Sequence, residues 1–169
     1  MRQPCSRLTF DVRQIRMKTP EQYRDDLQGY LDTYIPILIP KLSACLKLSY
    51  AADVAFLDFE VFEDSAGIGF PVMFGPTTRG NEVYSENRSI LNSNDFCLPD
   101  ALDACGYNFE YEREEDGFVK VFAPWFRICW ATAGGLMHPL PAYVCGHDDI
   151  RSFDLRRCIW VDNIEKDKE

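Results

Sequence analysis

This sequence is poor in the residues from which metal and nucleophile sites are usually built. It has only two histidines, His138 and His147. Its seven cysteines, at 5, 45, 97, 105, 129, 145 and 158, are odd in number, widely spaced and without a CxxC pair. That spacing excludes the common structural zinc sites. Several cysteines sit in apolar contexts, as in Ala44-Cys45-Leu46, Ile128-Cys129-Trp130 and Val144-Cys145. They read as buried free thiols of a reducing compartment. No P-loop, GxGxxG or GxSxG elbow occurs, and Gly67-Ile68-Gly69 is a turn rather than a phosphate cradle because no helix follows it. There is no run of 18 uncharged apolar residues. The best stretch, Tyr34 to Leu48, holds two prolines and two lysines, so no membrane span is expected. Residues 1–18 carry Arg2, Arg7, Arg13, Arg16 and Lys18 without an apolar core, which is unlike a secretory signal. The expectation is a cytoplasmic protein with no cofactor.

What is present is enough for one sizeable core. The 169 residues suit one domain, and 46% hydrophobic with 14% aromatic content argues against disorder. The net charge of −9 is uneven: residues 1–18 hold five basic side chains and one acidic, the rest of the chain 13 basic and 26 acidic. Such a body repels nucleic acid and anionic membrane and attracts a basic partner. The plainer reading is acidity for solubility.

Residues 1–18 read either as a strand, with Leu8, Phe10 and Val12 alternating, or as an N-terminal extension, with Met17 a second candidate initiator. Thr19-Pro20-Glu21-Gln22 has capping-box spacing, and Tyr23, Leu27, Tyr30, Leu31 and Tyr34 follow a helical period. Pro36 and Pro40 predict a break, then a second helical piece from about Pro40 to Leu48. Asp53 to Glu63 reads as a strand with Ala55, Leu57, Phe59 and Val61 on one face. Asp64 to Gly67 is a turn, and Ile68 to Phe74 returns as a hairpin, with Pro71 favouring an edge position. Gly75 to Asn94 reads as a long polar loop, with Glu82 to Tyr84 as a short strand, and Pro99 to Gly106 as one or two helical turns.

Residues 107 to 161 hold all three tryptophans and both histidines. Tyr107, Phe109 and Tyr111 alternate with Asn108, Glu110 and Glu112 as a half-buried strand, and Asp116-Gly117 is a hairpin turn. Phe118 to Phe122 then reads as a strand and Pro124 to Ala133 as a helix stopped by Gly134-Gly135. The competing reading starts the helix at Phe118, because Phe118, Phe122, Trp125 and Cys129 fall at helical spacing. Ala142 to Cys145, Ser152 to Leu155 and Cys158 to Val161 read as three short strands, and the tail after Asp162 as a fraying polar segment. The predicted fold is α+β: an N-terminal helical segment packed on a mostly antiparallel sheet, with a second, Trp-bearing helix. Residues 19–162 form its domain, flanked by the 1–18 extension and a 163–169 tail.

Three constellations invite a chemical reading. His147-Asp148-Asp149 can bind a metal or do acid–base work, with Asp58, Glu60 and His138 as conceivable partners. The competing reading is a polar turn whose Asp side chains cap backbone amides. Cys145 and His147, two apart on a strand, face the same way, but a hydrolase would need an oxyanion loop that is not evident. Glu110, Glu112, Glu114, Glu115 and Asp116 form an acidic ridge that either docks on a basic surface or simply solvates an edge strand. No catalytic residue is identified.

In size, acidity, lack of a signal sequence and lack of a catalytic motif, the chain resembles the immunity proteins of bacterial toxin systems. That resemblance implies a non-enzymatic α+β protein that occludes a cognate toxin domain, often a basic nuclease, with Glu110, Glu112, Glu114, Glu115, Asp116, Asp148 and Asp149 as candidate partner-binding residues. The polar loop at 75–94 would help to cover the toxin's active site. The alternatives are a metal-dependent hydrolase built on the His147 to Asp149 turn, and an interaction domain with no toxin partner. The oligomeric state is left open.

Overall fold

The computed structural model describes residues 19–62, 71–79, 88–91, 118–147 and 149–168. They form three helices and a six-stranded, mostly antiparallel sheet, an α+β fold. Helix α1 (Pro20–Asp32) begins as its sequence predicts. The Thr19 amide donates to Gln22 Oε1 at 3.0 Å and the Gln22 amide to Thr19 Oγ1 at 3.3 Å, satisfying two otherwise orphaned donors. Leu27 and Leu31, one turn apart, are fully buried.

The break that follows lies earlier than expected. Helix α2 (Ile35–Cys45) takes Pro36 into its first turn, where a missing N–H costs nothing, and carries Pro40 inside. Both prolines are exposed, on the side opposite the buried stripe of Leu38, Leu42 and Cys45. The Pro36 carbonyl, which Pro40 leaves without a donor, therefore belongs to a residue open to water. The same logic corrects the strand reading of Phe118 to Phe122. Helix α3 runs Phe118–Thr132 and contains Pro124, again exposed. An interior proline costs about 3 kcal/mol. Burying each of Phe118, Phe122, Trp125 and Phe126 on one helical face returns roughly 1.5–3 kcal/mol, so the helical period wins.

Gly134, at φ +95°, ends α3 in the left-handed region. A Cβ on Gly135 would lie 2.1 Å from the Trp130 indole, so that position closes only on glycine. Trp125 Nε1 donates to Asp32 Oδ1 at 3.1 Å and ties α3 to the end of α1. Lys41 Nζ donates to the Ile90 carbonyl at 2.7 Å and ties α2 to the sheet edge.

The strands are β1 (Val54–Val61), β2 (Val72–Thr78), β3 (Arg88–Leu91), β4 (Ala142–Gly146), β5 (Arg151–Asp154) and β6 (Ile159–Asp162), in the order β3-β2-β1-β4-β5-β6. Only β1 and β4 pair in parallel. The three C-terminal strands lie where their alternation places them. Two earlier expectations are corrected. Pro71 precedes β2, which lies between β1 and β3 rather than at an edge. The predicted 75–94 loop in fact holds the end of β2 and all of β3. β2 continues through Pro76 opposite Leu57, whose amide points instead to the Pro141 carbonyl beside β4. The ladder with β1 thus never asks Pro76 for an N–H.

A register shift between Val54 and Phe56 turns Val54 toward the helices and leaves Ala55 with Phe56, so Ala55 does not share a face with Leu57 as alternation predicts. The core lies between the helices and one face of the sheet. Phe59 is at its centre, with ring centroids 5.2 Å from Phe74, 4.9 Å from Phe126 and 5.3 Å from Trp130. The tail is not frayed: Asn163–Lys168 form a 3-10 segment, and Lys166 is buried. The strand expected at 82–84, the helical turns at 99–106, and the 107–112 strand with its turn lie outside the described residues.

Candidate functional site

Residues alternate across a strand, so the face opposite the helices is set by the other half of each strand's side chains. On β1 these are Phe56, Asp58 and Glu60; on β2, Met73, Gly75 and Thr77; on β4, Tyr143 and Cys145. Phe56, Tyr143 and Val161 make a small second apolar cluster, with the Phe56 and Tyr143 rings edge to face at 5.6 Å. Beside it opens a cavity of about 300 Å³ whose lining includes Asp58, Glu60, Cys145, His147, Asp149, Asn163 and Lys166.

Parallel pairing of β1 with β4 sets Glu60 beside Cys145 and carries His147 just past the strand end. His147 Nδ1 lies 2.8 Å from Glu60 Oε1, and its ring stacks on Phe62 at 4.1 Å. Both partners of this pair are well exposed, at 54% and 37%, so it contributes little stability. Asp149 Oδ2 accepts the Gly146 amide at 3.0 Å, which is the amide-capping turn anticipated for this segment. A Cβ on Gly146 would lie 2.6 Å from that oxygen, so a side chain there would push the Asp149 carboxylate away from the amide. Asn163 bridges the same corner, accepting from Ser152 Oγ at 2.6 Å and donating to the Asp149 carbonyl at 2.7 Å.

His147 and Asp149 are thus turned to different partners. Among the described residues, no three His, Cys, Asp or Glu side chains converge as metal ligands. Of the partners considered from sequence, Asp58 and Glu60 do reach this cavity. His138 does not: it packs edge-on against Tyr50 at 5.8 Å, and its carbonyl accepts from Arg156. Cys145 and His147 do line one cavity, but burial, then the Asp58 carboxylate, pushes the Cys145 thiol up to about 12. A thiol so strongly protonated is a poor nucleophile. Cys45 and Cys129 are likewise buried and outside any disulfide, while Cys158 is exposed and also outside one.

Lys166 was not singled out from sequence. Its Nζ lies 2.8 Å from Asp58 Oδ1, and only 4% of its side chain is exposed. The two residues are 108 positions apart, and a lysine in a charged tail carries no periodic signal of burial. A second, larger cavity of about 770 Å³, lined by Asp53, Arg79, Pro139, Arg156 and Lys166 among others, meets the first at this side chain. The acidic ridge Glu110, Glu112, Glu114, Glu115 and Asp116 lies outside the described residues, as does Asp148. Compared with family models, curated proteins and solved structures, the chain matches none. Among the described residues, no helix is long and apolar enough to cross a membrane.

Proposed function

We propose that this chain is a non-enzymatic binding protein of the immunity type, which docks on a basic protein partner and covers that partner's active site. The observation that carries the reading is the sheet face opposite the helices. Its cavity is lined by the carboxylates Asp58, Glu60 and Asp149, of which Lys166 pairs with Asp58. The surrounding chain has a net charge of −9. Charge complementarity of this kind raises association rates and selects cationic partners. The acidic residues Glu110 to Asp116 are further candidates for contact with such a partner, and the cytoplasm is the compartment that suits the buried free thiols.

The test is the neighbouring reading frame and its product. The reading expects a large secreted toxin with a variable C-terminal domain, which co-purifies with this chain and is inhibited by it. Binding should weaken at least tenfold, an assumed loss of about 1.4 kcal/mol, in Glu60→Lys and in Glu112→Lys with Glu114→Lys. A neighbour with no such domain, or inhibition unchanged by both variants, sinks the reading.

A further inference from the structure

The C-terminal 3-10 segment lies over the open sheet face, and its hold there is mostly polar. Ile164 is 75% exposed, while Asn163 is tethered to Ser152 and the Asp149 carbonyl. The segment's buried anchor is a charged one. Lysines are almost never buried unless paired, yet Lys166 is 6% exposed. Its ammonium is 2.8 Å from Asp58 Oδ1, 5.6 Å from the Phe56 ring centroid and 5.2 Å from that of Tyr143. A carboxylate with two aromatic rings is the chemistry that recognises a desolvated ammonium ion. Lys166 also lines both cavities, so its side chain is shared by the two.

We propose that Asp58, Phe56 and Tyr143 form a receptor for a lysine side chain of a basic partner, and that Lys166 occupies it in cis. The C-terminal segment is then a strap that the partner's lysine displaces, joining the two cavities into one trough. This rests on the cationic partner proposed above. Displacement exchanges one ammonium for another, so the partly buried Asp58 keeps a cationic partner throughout. Lysine rather than arginine fits because the occupant already present is a primary ammonium.

The test measures hexalysine binding to the full-length chain by calorimetry at low salt. Lys47→Met, which removes an exposed lysine, controls for net charge. Removing the cis occupant should raise the affinity of Lys166→Met about tenfold over Lys47→Met. Asn163→Ala changes no charge and cuts the tether. It should also bind more tightly than wild type, with faster amide exchange over residues 163–168, and it serves if Lys166→Met does not fold. Adding Asp58→Asn to either variant should abolish the gain. If hexalysine binds wild type but neither variant more tightly, cis occupancy is overturned while the cationic-partner reading stands. Binding to none of the proteins overturns both.

Discussion

The two faces of the sheet obey different physics. On the helix face, Leu57, Phe59, Phe74, Val144 and Phe153 meet α1 to α3 in one apolar cluster. Its stability comes from area removed from water and from close packing. On the open face, three residues make a small apolar cluster, and the rest is a polar set whose members find partners across strands: Glu60 with His147, Asp58 with Lys166, Asn163 with Ser152. Each such contact contributes little net free energy, but its geometry is specific. The helix face holds the molecule together, and the other face is organised by specific polar pairs.

That contrast can be broken by substitution. Phe59→Ala, at the centre of the helix face, should destabilise by about 3–5 kcal/mol in chemical denaturation. A loss below about 1 kcal/mol would mean that the core is not centred there. Raising the pH probes the open face. The Cys145 thiol titrates at about 12 in the folded chain, against 9.0 as its ordinary value. Its folded pKa is raised, so its contribution is complete below pH 9 and is lost as pH rises toward 12. The lost stability approaches about 1 kcal/mol per pH unit in that window. Cys145→Ala should show a shallower decline between pH 9 and 11 than wild type, and identical slopes would refute the assignment. The smallest effect is expected at His147→Ala, which removes an exposed ion pair. It should change stability by less than about 1 kcal/mol, measured by the same denaturation. A larger loss would make the His147 corner part of the scaffold.

Much of the scaffold was legible. The capping box at Thr19, the strand from Val54 and the three C-terminal strands follow from spacing and turn residues alone. The prolines misled because their cost depends on which side of a helix they occupy. Pro40 and Pro124 are tolerated facing solvent, where water can serve the freed carbonyl. Pro76 is tolerated because its neighbour Leu57 bonds to the other side. The site was less legible. The His147 turn and the candidate partners Asp58 and Glu60 could be named, but not their pairing, and Lys166 was hidden in what reads as a polar tail.

The sequence by itself determined what is local: helix starts, strand alternation, glycine stops, and the acidity of the chain. These depend on residues within a turn or two of one another. Only the tertiary structure decided that Glu60 meets His147 from 87 residues away and that Lys166 reaches Asp58 from 108. Such pairings follow from strand order and from the parallel register of β1 with β4, and the pair of buried Lys166 with partly exposed Asp58 exists only where the sheet and the C-terminal segment meet.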